Sequence, residues 1–498
     1  MNIQSLLDSA PATQLPDERT MSDVAAQIGT LTNTQVYPRS ITVSTQGAYF
    51  LARTSQGRRL ALLTTSSAGV DFPTAPQWSE HSLSGQSVHL ALLPMDTPTA
   101  AWLRKQFTWL EPTPLGLAKS VGCGDRLGLA TPGHIRAVRA CKSGIRPILA
   151  QQSIREMTRT QRSPTQVVDD AMWGVFQEGW RTGYGADADH LKTFEDIDRC
   201  VEAGYTFYTF DPGAYVDNDN QPSKFDALPW QELETTAADT RARYGNRFDA
   251  ETLQRSFVKY GGAIAQVTKL CRYLKTAMNG RPYEVEVSVD ETDQPTTYAE
   301  HYIVASELRR MGVEWVSLAP RFVGRFEKGV DYIGDLQAFE QECAAHVKVI
   351  QELGPYKLSI HSGSDKFSIY PIVSRLAGDL VHLKTAGTSY LEALRSVARC
   401  DPDLFRNVYA MAHVRYGTDR ASYHVSADPA HAPKVSLAGI DDLQSVLDQF
   451  DAREMLHVCF GSILGKYGTE IKAVLDQNEE THYADLERHF ARHLASFC

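Results

Sequence analysis

The rhythm of hydrophobic and polar positions changes near Pro112 and Pro114. Before that point, ITVSTQGAYFLARTSQGRRLALLTT carries two short strand-forming runs joined by SQGRR, a hairpin signal. SVHLALLPM adds a third strand and AWLRKQFTWL a short helix, so residues 1–114 are expected to form a small α+β domain. From Ala118 the pattern becomes strand, polar loop, helix, repeated. The strands are AKSVGCGD, RPILAQQS, TGYGADADH, YTFYTFD, YEVEVSVDE, EWVSLAP, YKLSIHS and LVHLKTAG. Helical segments such as TFEDIDRCVEAG and YAEHYIVASELRRMG repeat apolar residues at spacings of three and four and close on glycine. Eight such units in series predict a closed (β/α)8 barrel of TIM type over residues 115–421. An open doubly wound sheet seldom needs so many consecutive units. A polar, turn-rich insertion interrupts the barrel at residues 212–255, and residues 422–498 are expected to form a helical extension. That extension would cover the barrel or build the interface of a homo-oligomer.

Strand parity then sorts the polar residues. In YEVEVSVDE, Val285, Val287 and Val289 face the helices, which turns Glu284, Glu286, Ser288 and Asp290 inward. The same rule turns Ser359 and His361, His382 and Lys384, and Ser317, Ala319 and Arg321 inward. With Asp189 and His190 from GYGADADHLKT, the barrel mouth collects histidines and carboxylates from several strands. Isolated charges there would cost several kcal/mol, so they must pair, bind metal or meet a polar ligand. A metal site is one solution, open to Zn, Mn, Fe, Co or Ni, and an internal salt-bridge network is the other. HSGSDK, with Ser362 and Ser364, can cradle an anion or can be a plain turn, and Arg321, Arg325 and Lys384 can neutralise a carboxylate or phosphate. GCGDRLG has the spacing GxGxxxG and reads as a tight turn after the first strand before it reads as a nucleotide loop.

Composition narrows the function classes. Among 498 residues, 43% hydrophobic and 22% charged content is that of a soluble globular protein. A formal net charge of −10 gives no electrostatic case for nucleic acid. No run of eighteen apolar residues suggests a membrane span, and the N-terminus lacks the basic-then-apolar pattern of a signal peptide. The eight cysteines are scattered and none forms CxxC, which predicts reduced thiols and a cytoplasmic location.

From about Gly122 to Arg420, the chain resembles the tagaturonate epimerase family. The resemblance is carried by GCGDRLG, GYGADADHLKT, FYTFDPGAY, EVSVDETDQPT, WVSLAPRFVGRFEKGVDYIGD, YKLSIHSGSDKFSIYPI and LVHLKTAGTSYLEALR. It implies a metal-dependent epimerase of bacterial hexuronate catabolism that interconverts D-tagaturonate and D-fructuronate, a small-molecule ketouronate pair. ADADH, followed by a strand-end histidine before a Gly/Ser loop, is more distantly similar to class II ketose-bisphosphate aldolases. That likeness implies Asp189 as the acid/base and His190 and His361 as metal ligands. The aldolases have a third histidine ligand after the sixth strand and LAPRFVGRF has none, so His382, Asp290 or Glu291 must fill in. Inversion at the ketose C4, β to the ketone, is expected to proceed by retro-aldol cleavage and re-addition. Asp189 and Asp290 would then transfer protons on opposite faces, and Lys384, Arg321, Ser362 and Ser364 would hold the anionic substrate. The alternatives are a sugar-acid aldolase on the same barrel and a non-catalytic sugar-binding subunit.

Overall fold

The computed structural model describes residues 2–8, 17–435 and 440–498. The chain divides into two compact units, residues 1–111 with 169–183, and residues 112–168 with 184–498.

The first unit holds an antiparallel sheet of β1 (Gln35–Val36), β2 (Thr42–Ser44), β3 (Gly47–Thr54), β4 (Gly57–Thr64), β5 (Gln77–Leu83) and β6 (Gln86–Leu93). Its order is β1-β3-β4-β6-β5, with β2 paired to β3. The expected hairpin is β3–β4, and SVHLALL is β6. Strand β5, QWSEHSL, escapes the sequence pattern because most of its residues are exposed and carry no apolar alternation. It closes on β6 through Ser84 and Gly85, with φ of 51° and 84°, the positive values a two-residue hairpin turn demands. The helix expected from AWLRKQFTWL forms at Thr97–Gln106, capped by the Asp96 carboxylate, which accepts from the Thr99 N–H.

The second unit is a closed parallel barrel. Its strands are β7 (Ser120–Cys123), β8 (Arg146–Ser153), β9 (Gly185–Leu191), β10 (Phe207–Phe210), β11 (Glu284–Val289), β12 (Ser317–Pro320), β13 (Lys357–Ile360) and β14 (Val381–Thr385). Each pairs in parallel with the next, and β14 pairs with β7 to close the ring. Seven fall within the runs that the hydrophobic pattern marks as strands, and β9 runs one residue past TGYGADADH to Leu191. Strands buried on both sides read as continuous apolar runs only where neither face carries chemistry, and β11 keeps Glu284 and Glu286 buried inside. Between β10 and β11 the chain makes short turns, a helix at Ala237–Tyr244 and a 29-residue helix at Ala250–Met278.

The C-terminal segment is helical, with Pro402–Asp419, Phe450–Val458, Phe460–Gln477 and Glu479–Leu494 packed onto the helix Thr388–Cys400 that follows β14. Leu391, Leu394, Phe405, Leu456 and Phe460 are fully buried in this core. Each such side chain contributes roughly 1.5–3 kcal/mol, enough to keep the segment seated. One cysteine pair departs from the expectation of reduced thiols: Cys141 and Cys498 form a disulfide across 357 residues. Their sequence spacing gave no cue, because the pairing depends on the C-terminal helix returning beside the helix Thr131–Ala140. Among the described residues, no helix is long and apolar enough to cross a membrane.

Candidate active site

Strict alternation along β9 would point Asp187 and Asp189 into the barrel and His190 outward, toward the helices. The strand carries one extra residue instead: Tyr208 pairs with Ala188, but Phe210 pairs with Leu191. His190 absorbs this bulge with φ of 56°, in the left-handed region that side chains seldom adopt. The kink brings the imidazole back over the barrel mouth, so Asp189 and His190 line one cavity of about 450 Å³. The His190 Nδ1–H donates to Asp189 Oδ1 at 2.6 Å. Strain of this kind is held where surrounding contacts over-determine the backbone.

His361, at the end of β13, and Asp290, just beyond β11, meet His190 across the mouth. Ligand atoms of His190, Asp290 and His361 all lie within 4.8 Å of one another. Asp290 Oδ1 is 3.8 Å from His190 Nε2 and 3.4 Å from His361 Nδ1. The other ring nitrogen of each histidine is tied down, His190 by Asp189 and His361 Nε2 by Glu286 Oε1 at 2.6 Å. Two oriented imidazoles and a carboxylate are a donor set that suits a first-row divalent cation, with carboxylates fixing the rings from behind. Burial opposes charge on His190, but Asp189 and Asp290 outweigh it and hold the imidazole well above its ordinary range. Burial likewise pushes Asp290 up, and His361 and His190 overcome it, holding the carboxyl well below the usual range.

Beneath this triad lies a buried charge cluster. Lys384 Nζ sits 2.7 Å from Asp189, 2.8 Å from Asp187 and 2.9 Å from Glu286, and donates to Thr209 Oγ1 at 2.7 Å. With its ammonium spent on three carboxylates, Lys384 is placed as their counterion. Burial, helped by Asp189 and Glu286 against Lys384, pushes the Asp187 carboxyl up to about 6. His382 stands one layer deeper and outside the triad. Its Nδ1 meets Ser120 Oγ at 2.9 Å, its Nε2 has no partner, and burial pulls it down to about 3. A neutral imidazole packed at 5.5 Å from Phe207 is a core residue, and the structure does not bring it to His190 and His361.

The remaining expected residues lie around the rim. Ser362, with φ of 48°, accepts from Lys328 Nζ at 2.6 Å. Ser364 is buried and accepts from the Ala386 N–H at 3.1 Å. In the same loop the Gly363, Asp365 and Lys366 N–H groups donate to Lys384 O, His493 Nε2 and Tyr370 Oη, so HSGSDK is a braced turn. Asp365 is held by Arg453 at 2.9 Å and His489 at 2.8 Å. Asp365, His489 and His493 also lie close enough to share a cation, but the guanidinium already compensates that charge. In GCGDRLG the Asp125 carboxylate accepts from the Leu127 and Gly128 N–H groups and from that of Ala130 just beyond, which makes it a turn braced by its own acid.

Arg321 lines a second lobe of about 380 Å³, which shares Asp290, His361 and Ser362 with the first. The sequence reading missed Arg155 and Lys328, which line both lobes, and Arg126 and His457 in the first. Arg126, Arg155 and Lys328 sit on loops or a helix start, where strand parity has no reach, and His457 comes from the C-terminal segment. For Lys328 the signal was present in the run WVSLAPRFVGRFEKGVDYIGD, which carries it between two glycines.

The family model for tagaturonate epimerase matches residues 37–497. A tagaturonate/fructuronate epimerase of Thermotoga maritima is 38% identical over 472 residues, covering 92% of this chain and 96% of that protein. The native crystal structure of fructuronate-tagaturonate epimerase UxaE from Cohnella laeviribosi superposes with a TM-score of 0.84 at 34% identity, covering 95% of this chain and 99% of that one. A glycerol complex of the same enzyme gives a TM-score of 0.84 at 33% identity, with 96% and 99% covered.

Proposed function

The chain belongs to the tagaturonate epimerase family and is an epimerase, and from that premise we propose that it interconverts D-tagaturonate and D-fructuronate by a cation-assisted retro-aldol route. The observation that carries the reading is the convergence of His190, Asp290 and His361 within 4.8 Å, directly beside Asp189. These three residues would hold a divalent cation, with Zn, Mn, Fe, Co and Ni all compatible with the donor set. When bound, that cation supplies Lewis-acid stabilisation of the charge that develops on the ketone oxygen.

The inverted carbon is β to the ketone, so its own proton is not acidified and direct deprotonation is too costly. Cutting C3–C4 and re-adding the rotated aldehyde avoids that proton. The residues then need to take the C4 hydroxyl proton on one face and return it on the other. Both ion-pair contacts of Asp189 run through Oδ1, which leaves Oδ2 for a substrate hydroxyl. Asp290 also makes these contacts through Oδ1, which leaves Oδ2 for the second proton transfer. Lys384 keeps Asp189 ionised: burial pushes that carboxyl up, but His190 and Lys384 together hold it far below the usual range. His361 and Glu286 lock each other, which limits drift of the imidazole.

The test combines metal analysis with an epimerase assay on His190→Ala and Asp189→Asn. His190→Ala is expected to lose bound metal, and Asp189→Asn to keep it while kcat falls roughly 10²- to 10⁴-fold, the range for a lost acid/base. Full metal occupancy in His190→Ala, or full activity after chelation, would sink the cation reading. Steady release of three-carbon aldehyde would make the protein an aldolase instead.

A further inference from the structure

The basic side chains around the two lobes fall into two classes by partner. In the first lobe Lys384 meets three carboxylates, Lys192 pairs with Asp211 at 2.8 Å and Arg126 with Glu156 at 2.8 Å. Each of these charges is answered within the protein. Arg155, Lys328 and Arg321 differ: among the described residues none forms an ion pair, and all three line the second lobe. Lys328 is half-buried, and its one hydrogen bond, to Ser362 Oγ at 2.6 Å, places it a single residue from His361. Arg155 is exposed and rests against the Tyr423 ring at 5.4 Å, which sets the guanidinium on the rim without neutralising it. The lobe's own acids, Asp290, Glu291 and Asp293, form no ion pair with any of the three among the described residues, although the charges of Glu291 and Asp290 reach Lys328.

We propose that Lys328, flanked by Arg155 and Arg321, holds the carboxylate of the ketouronate. Lys328 and Arg155 line both lobes and Arg321 only the second, so the carboxylate end sits where the lobes meet, on the Arg321 side, and the hydroxymethyl end reaches into the first. The inference rests on the ketouronate reading, because it asks where the one anionic group of such a substrate goes. Three unanswered cations around a cavity that opens onto His361 and Asp290 complement one carboxylate. The cations confined to the first lobe, Lys384, Lys192 and Arg126, are already neutralised, and that part of the cavity complements hydroxyl groups. Lys328 becomes the specificity determinant, because a site built for a charged group leaves its cationic donors unpaired when an uncharged ligand enters.

The experiment uses the full-length metal-loaded enzyme. Lys328→Met is expected to raise KM for the ketouronate roughly ten- to hundredfold, as for a lost charge-assisted hydrogen bond, with kcat within about threefold. Lys328→Arg should recover part of that loss. Arg155→Gln, at an exposed position, should raise KM in the same direction by a smaller factor. Calorimetric binding of galactonate, which keeps the carboxylate but lacks the ketone, reads the same contact without turnover. It should weaken in Lys328→Met by a similar factor. Unchanged galactonate binding and unchanged KM in Lys328→Met would overturn the proposal, as would a fall in kcat alone. If wild-type protein fails to epimerise ketouronates, the epimerase reading falls, while galactonate binding to wild type and Lys328→Met still decides the clamp.

Discussion

Replacing Lys384 by methionine separates two jobs the residue has been given, holding substrate and balancing charge inside the barrel. The side chain is 4% exposed, and its three acidic partners Asp187, Asp189 and Glu286 are 0%, 8% and 0% exposed. Removing one partner of a buried ion pair leaves an uncompensated charge and typically costs about 3–5 kcal/mol. Here three carboxylates lose one cation, so the expected loss lies in the upper part of that range. Proton uptake limits it, because the Asp187 carboxyl already sits at about 6 and becomes neutral once the ammonium is gone. The double variant Lys384→Met/Asp187→Asn should therefore regain part of the lost stability, since it removes a charge the single variant must protonate. Urea unfolding monitored by fluorescence reads both variants, with an unchanged m-value confirming that the same unfolding transition is compared. A loss below about 1 kcal/mol in Lys384→Met, with KM for the ketouronate sharply raised, would refute the counterion assignment and return Lys384 to substrate binding.

Three further outcomes follow from the geometry. Burial raises Glu392 but His489, Arg453 and Arg395 overcome it, holding the carboxyl at about 2 against an ordinary 4.5. Because the folded value is depressed, its stabilisation of about 3 kcal/mol is present above pH 4.5 and is lost as pH falls toward 2. Acid denaturation of Glu392→Gln should show a shallower dependence through that window. A Cβ at Gly387 would lie 2.0 Å from His457 Nε2 and 2.7 Å from Arg126 Nη1. Gly387→Ala should lower Tm by an overpacking cost of about 1–3 kcal/mol, and His457→Ala in the same chain should restore part of it. Cys498→Ser should cost roughly 2–5 kcal/mol in non-reducing buffer and nothing measurable in reducing buffer, checked by paired thermal melts.

Most of the barrel strands were legible as short runs of apolar and β-branched residues bounded by turn-formers, a pattern set by local physics, while GADADHL was placed by its position in the strand–helix series. The inward side of β11, β13 and β14 was legible for a related reason, since the pleat alternates and only one side can carry Glu286, His361 and Lys384. Parity fails where backbone regularity fails. His190 reaches the cavity through a bulge at φ of 56°, and no residue type at that position announces the bulge. Depth along a strand was legible in order only: His382 lies one residue pair deeper than Lys384 on the same face, and the register with β7 and β13 decides which of them reaches the charge cluster. The seven-residue strand Gln77–Leu83 with its turn was missed because an exposed edge needs no apolar pattern.

The sequence by itself determined the barrel, the identity of most of the acids and histidines at its mouth, and the family, because these depend on local preference and on long matching runs. Only the tertiary structure decided which of those groups meet. Asp290 joins the two histidines, while His382 stays beneath them as a core residue. Lys384 is consumed by its own carboxylates, which leaves Lys328 and Arg155, carried on connecting segments, as cations that form no ion pair among the described residues. Which charges pair is a matter of distances of a few ångströms between residues far apart in the chain, and no local pattern encodes those distances.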